Sequence, residues 1–104
     1  MILVTGATGL VGKALCAALI ANHGVRIAVR NTETESQADG LDVVRGELSA
    51  TADWSAAMDR VAAVVHCAAR RHVTKDHFAD PLAEFRRINV EGSLQLARQA
   101  AAAS

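Results

Sequence analysis

Apolar and polar positions fall in blocks along this chain, and each block predicts an element. Met1 to Thr5 is an apolar, β-branched run ended by Gly6, the pattern of a strand buried on both faces. Leu10 to Asn22 is rich in Ala and Leu and predicts a helix. Asn22-His23-Gly24 is its stop, with Gly24 free to take positive φ past the last turn. Val25 to Arg30 alternates apolar and polar residues and predicts a second strand. Asn31 to Gly40 is polar and predicts a loop, or at most a short surface helix. Asp42 to Arg45 predicts a third, short strand, Thr51 to Arg60 a helix, and Val61 to Cys67 a continuous apolar strand.

The last predicted helix carries the most signals. Asp80 suits the N-cap, and Pro81 suits the first helical position because it has no N–H to lose there. Phe85, Ile88, Asn89, Gly92, Leu96 and Gln99 share one face at helical spacing. Val90, Leu94, Ala97 and Ala101 form a second stripe on the opposite side. A helix apolar on two sides has two partners to cover: the sheet, and either another subunit or a further part of the same chain. The terminal A-A-A-A-S continues this helix.

Strands alternating with helices imply an α/β fold, a Rossmann-type parallel sheet with flanking helices and about four strands. The 104 residues allow one domain at most. Lys+Arg and Asp+Glu balance at 11 each, which lacks the basic footprint of a nucleic-acid or anionic-membrane partner. No stretch approaches the apolar length of a membrane span, and no basic region precedes the first strand, so a cytoplasmic protein is expected. At 51% hydrophobic and 21% charged, the composition is globular. Two cysteines, Cys16 and Cys67, without a C-x-x-C, predict reduced thiols.

Candidate chemistry begins at Gly6-Ala7-Thr8-Gly9-Leu10-Val11-Gly12, between the first strand and the first helix. A helix N-terminus presents unpaired backbone N–H groups and partial positive charge, and so binds anions. Gly6 permits the tight turn, Gly9 lets the backbone approach a pyrophosphate, and Gly12 lets the helix pack close to the strand. The plainer reading, a glycine-rich turn, explains less, because the loop lies between a buried strand and an amphipathic helix.

The spacing is G-x-x-G-x-x-G, and T-G-A-T-G-L-V-G resembles the start of an extended short-chain dehydrogenase/reductase of the NAD-dependent epimerase/dehydratase family. Gly46-Glu47-Leu48 resembles that family's G-D-L after the third strand. Val64-Val65-His66-Cys67-Ala68-Ala69 resembles its V-V-H-x-A-A, and Asn89-Val90-Glu91-Gly92-Ser93 its N-V-x-G-T. From Ala69 to Ala100 the chain also resembles bacterial nucleotide-sugar 4-ketoreductases and 4-epimerases of surface-polysaccharide pathways.

The resemblance implies an NAD or NADP cofactor. An acidic residue at the end of the second strand would hydrogen-bond a ribose 2′-OH, but Arg30 and Asn31 stand there. A guanidinium can bind a 2′-phosphate bidentately, which favours NADP; Arg30 can also be a solvated strand end or stack on adenine. By the resemblance, Glu47 and the Leu48 backbone meet adenine, although Glu is a methylene longer than the family's Asp. Cys67, Ala68 and Ala69 line the nicotinamide-ribose crevice, and Arg71 reaches a ribose hydroxyl or phosphate or is simply a surface residue. Asn89, an amide on an apolar stripe, needs hydrogen-bond partners; it supports the site, bonds a neighbouring strand, or does both.

His66, Cys67, His72 and His77 do not form a metal set, because His66 and Cys67 are adjacent on a strand and point to opposite faces. Cys16 is expected in the core.

The family's hydride transfer uses a Tyr, a Lys four residues later, and a Ser/Thr. This chain has no Tyr, and its lysines, Lys13 and Lys75, belong to no Y-x-x-x-K. Residues 1–104 are therefore read as the N-terminal part of a dinucleotide-binding domain, roughly a third of the family's length, with no catalytic residue and no substrate domain. The fragment alone is expected to be inactive, and the complete protein to be a homodimer acting on a nucleotide sugar. A non-catalytic NADP-sensing regulator, or a small module that only binds a partner through its second helix stripe, are the alternatives.

Overall fold

The computed structural model of the chain describes residues 1–30, 41–69 and 81–103. Four strands, β1 (Ile2–Thr5), β2 (Val25–Val29), β3 (Leu41–Arg45) and β4 (Ala63–His66), form one sheet in the order β3-β2-β1-β4. Every pair is parallel. Helix α1 (Leu10–Leu19) follows β1. Helix α2 (Pro81–Arg86) runs into a π-helical segment (Arg87–Gly92) and then α3 (Ser93–Ala103). The Asp80 cap and the polar stretch 31–40 lie outside the described residues.

The two faces of the sheet carry separate apolar layers. Leu3, Ala28, Trp54, Ala57, Met58 and Leu96 pack on one side. Val4, Ala7, Cys16, Val25, Ile27 and Val29 pack on the other. Consecutive residues Leu3 and Val4 serve opposite layers, as a strand's alternation requires.

Strand β2 is buried at all five positions, Arg26 included. The guanidinium is satisfied inside. Arg26 Nε pairs with Asp42 Oδ2 at 2.7 Å, and Nη1 donates to the Ala57 and Asp59 carbonyls at 2.7 Å each.

That interaction also explains why Thr51 to Arg60 is a series of turns and not the helix predicted. Asp53 Oδ1 accepts from the Ser55 amide and hydroxyl at 3.0 and 2.6 Å, opening a turn. Met58 N–H reaches the Trp54 carbonyl at 3.0 Å. The Ala57 and Asp59 carbonyls then point to Arg26, and Arg60 takes φ +63°, which ends any helical path. The segment is tied to α3 as well. Gln99 Oε1 accepts from the Trp54 amide, and Gln95 and Gln99 both donate to the Ala52 carbonyl.

On the last helical stretch, Gly92 and Leu96 are buried and Phe85, Ile88, Asn89 and Gln99 half-buried, as the first stripe predicts. Val90 and Leu94 on the second stripe are 53% and 48% exposed. The π-helical segment has no counterpart in the sequence reading.

Candidate functional site

Strand β1 lies between β2 and β4, so the chain leaves it for β2 and β3 on one side and returns to β4 on the other. In a parallel sheet such a reversal opens a crevice at the strands' carboxyl ends. A cleft of about 1020 Å³ opens at that end here.

The glycine loop forms one wall. Gly6 has φ +72°, and a Cβ there would lie 2.5 Å from the Ala68 nitrogen, so only glycine lets the loop rest on the end of β4. A Cβ on Gly12 would lie 2.7 Å from the Gly6 carbonyl carbon, so glycine is what lets α1 start directly over the loop. Gly9, in extended conformation, is the N-cap of α1 and has no side chain to cap with. The first helical bond runs from Lys13 N–H to Gly9 O at 2.9 Å. The amides of Leu10, Val11 and Gly12 precede it, and no acidic side chain stands in the first turn. A Cβ on Gly9 would find only the Gly6 oxygen, at 3.4 Å, so this wall is open toward the cleft.

The other walls come from the remaining strand ends. Arg30 follows β2, Gly46, Glu47 and Leu48 follow β3, and Cys67, Ala68 and Ala69 follow β4. Of the residues singled out in the sequence, Gly6, Thr8, Gly9, Leu10, Val11, Gly12, Arg30, Glu47, Leu48, Cys67, Ala68 and Ala69 all line this one cleft. Asn89 does not; it is half-buried in the π-helical segment, next to Ile88, which does. Arg71, like His72 and His77, lies outside the described residues.

Sequence reasoning missed Trp54 and Ile88 as cleft residues. Ile88 was visible only as one member of an apolar stripe. Trp54, the single tryptophan, stood in a segment that reads as helix. It is 2% exposed, and its Nε1 is buried with no hydrogen-bond partner among the described residues.

The chemistry of the walls is divided. Uncapped amides and a partial positive helix end can hold an anion at the centre. Leu10 and Val11, 84% and 69% exposed, offer apolar cover beside it. Arg30 and Glu47, both exposed, bring opposite charges to the β2–β3 side. Small residues at Ala68 and Ala69 leave room for a flat ring on the β4 side. The residues present thus fit a dinucleotide, with its pyrophosphate on the loop.

Behind the walls, Thr5 Oγ1 meets the Cys67 and Ala68 amides at 3.2 Å each and His66 Nδ1 at 2.5 Å. His66 Nε2 lies 2.8 Å from Ser93 Oγ. His66 is exposed overall, but desolvation of its ring pushes the imidazole below its ordinary pKa. Burial, and then the nearby Cys67, push the Cys16 thiol up, which suits a packing role in the core. No group of three His, Cys, Asp or Glu suited to a metal occurs among the described residues. Among the same residues no helix is long and apolar enough to cross a membrane.

The chain is 40% identical over 101 residues to a UDP-glucose 4-epimerase of Vibrio cholerae, a match covering 95% of this chain and 30% of that protein. A short-chain dehydrogenase/reductase superfamily protein of Agrobacterium tumefaciens, solved with bound NAD, superposes with a TM-score of 0.72 at 34% identity. That match covers 99% of this chain and 29% of the other. The UDP-glucuronic acid 4-epimerase of Bacillus cereus, solved with UDP-glucuronic acid and NAD, has the same fold: TM-score 0.72 at 23% identity, over 94% of this chain and 35% of the other. The chain thus spans about a third of the length of these relatives. Residues 2–104 match the NAD dependent epimerase/dehydratase family, and the chain belongs to that family.

Proposed function

We propose that this chain is the dinucleotide-binding part of an NAD(P)-dependent enzyme that acts on a nucleotide sugar, by 4-epimerisation or 4-keto reduction through hydride transfer. The observation that carries this reading is the uncapped start of α1, where three amides face a cleft at the sheet's reversal point. The pyrophosphate rests on Leu10, Val11 and Gly12, with Thr8 and Gly9 beside it. Arg30, Glu47 and Leu48 hold the adenosine end, and Cys67, Ala68 and Ala69 the nicotinamide-ribose end. When bound, the nicotinamide would accept and return a hydride in 4-epimerisation, or donate one in 4-keto reduction; the chain's own residues bind and orient it. Asn89 supports the wall from behind, and Arg71 contributes to the ribose or phosphate.

Arg30 favours the 2′-phosphorylated dinucleotide, since a guanidinium rather than a carboxylate follows β2. The nucleotide-sugar substrate class is supported by the relatives, one a UDP-glucose 4-epimerase and another solved with UDP-glucuronic acid. The exposed Val90 and Leu94 stripe is the face for a second copy in a homodimer. Sedimentation of the chain and of Leu94→Glu decides that point: a monomer in both would remove it.

The residues that would exchange protons with a sugar hydroxyl are not among these 104, which contain no Tyr. We therefore assign cofactor binding to this chain and turnover to segments outside it. Titration with NADPH and NADH, followed by the fluorescence of Trp54 in the cleft wall, tests the binding. Saturable binding is expected, and its absence for both would overturn the reading. Conversion of UDP-glucose by residues 1–104 alone would overturn the division of labour.

A further inference from the structure

Thr5 is the last residue of β1 and stands opposite His66 in the β1–β4 register. It is 2% exposed, yet its hydroxyl has three polar neighbours. Two are the Cys67 and Ala68 amides, which can only donate, so the hydroxyl oxygen accepts from both. The hydroxyl proton is then left for His66 Nδ1. An accepting Nδ1 makes the imidazole neutral with its proton on Nε2, and that N–H donates to Ser93 Oγ at 2.8 Å. One direction of hydrogen bonding therefore runs from the Cys67–Ala68 backbone through Thr5 and His66 to α3.

The amides at its start belong to the cleft wall. Cys67, Ala68 and Ala69 line the site, and Gly6 lies against the Cys67–Ala68 peptide from the other side. An imidazolium has a proton on both nitrogens and cannot accept from Thr5. Its Nδ1–H would face an oxygen that already accepts from the Ala68 amide and shares the Cys67 amide with the Thr5 carbonyl. Among the described residues no carboxylate pairs with the ring, although His66 is exposed and water reaches part of it. The far side of His66 faces a pocket between β4 and α3 lined by Met58, Val61, Leu96, Ala97 and Ala100, with no charged group among its described residues. From β1 it meets Thr5, from α3 Ser93, and along β4 the neighbouring titratable group is the free Cys67 thiol.

The geometry points to Thr5, His66 and Ser93 as a proton-sensitive brace of the cleft: neutral His66 holds the Cys67–Ala69 wall in its binding position, and protonated His66 releases it. His66 is a positioning residue, and the inference rests on the reading of this cleft as a dinucleotide site. The ring is exposed, but desolvation lowers its pKa, which favours the closed brace at neutral pH.

The test follows NADH affinity between pH 8 and pH 5, with NADH chosen because its pyrophosphate keeps a constant charge there. Affinity of the unaltered chain is expected to fall about 3- to 10-fold as His66 protonates, on the order of one lost hydrogen bond. His66→Asn, whose Oδ1 accepts where Nδ1 does but does not titrate, is expected to bind NADH at pH 7.5 and to lose the acid step. A step that persists in His66→Asn belongs to another histidine and overturns the brace. The second measurement needs no nucleotide: the Ala68 amide resonance is expected to move with the His66 titration midpoint, and an unmoved resonance overturns the brace. Failure of NADH to bind at pH 7.5 would instead defeat the dinucleotide reading, while the amide shift still decides whether His66 controls the wall.

Discussion

The Arg26 guanidinium and the Asp42 carboxylate, register partners on β2 and β3, meet at 2.7 Å with very unequal exposure: 10% for the Arg26 side chain and 49% for Asp42. The weight of the interaction lies on the buried side, where the same guanidinium satisfies the Ala57 and Asp59 carbonyls.

Arg26→Met strands those carbonyls and is expected to cost about 2–4 kcal/mol. Asp42→Asn, at the exposed end, is expected to cost less than about 1 kcal/mol. Urea unfolding of both variants checks the ordering. Equal losses would place the weight on the ion pair instead.

The glycines of the loop separate fold from function. Gly6→Ala puts a Cβ against the β4 backbone and forces a positive φ on alanine, so a loss of roughly 1–3 kcal/mol or more is expected. Gly9→Ala meets nothing closer than 3.4 Å among the described residues. Its melting temperature is expected to stay within about 3 °C of the parent, while dinucleotide affinity falls at least about tenfold as the methyl enters the anion's space. Thermal melts with NADPH titration check both; undiminished affinity would move the pyrophosphate off this wall.

Much of this was legible in the sequence because the signals are local. A β-branched run ended by Gly6 gives β1, and three glycines around the start of α1 give one wall of the cleft. The residues after β2, β3 and β4 then meet in one cleft because parallel strands must bring their carboxyl ends together. What escaped depends on contacts distant in the chain. Arg26, 31 and 33 residues before the Ala57 and Asp59 carbonyls it binds, turns an expected helix into turns. Ile88, in the π-helical segment, lines the cleft, a position its place in an apolar stripe does not specify. Thr5 and His66 are 61 residues apart, and no spacing rule pairs them.

Arg30 is the position where the cofactor's form is expected to be decided. Arg30→Asp replaces a donor fork with an acceptor suited to a ribose hydroxyl, and sets a negative charge against a 2′-phosphate. The ratio of NAD to NADP affinity is expected to rise by about tenfold or more, a shift of about 1.4 kcal/mol. Parallel titrations of the parent and the variant measure it. An unchanged ratio would leave Arg30 as a solvated strand end.

His66, although exposed, also couples stability to pH, and the sign follows from the desolvation of its ring. The folded chain holds the imidazole pKa below its ordinary value of 6.5. Between those two values the unfolded chain binds more protons, so stability increases with pH there. The stabilisation is complete above 6.5, declines as pH falls through the window, and levels off below the folded pKa. Asp53, held below its ordinary 3.8 by the Ser55 hydroxyl and amide, is lost only at lower pH, so the two steps separate. Urea midpoints at intervals from pH 8 to pH 5 are expected to fall through the His66 window in the parent. In His66→Asn that part of the slope is expected to vanish, because the Asn amide does not titrate while its oxygen still takes the Thr5 proton. An identical slope in both proteins would assign the titration to another histidine and separate the Thr5–His66 contact from the acid sensitivity of the fold.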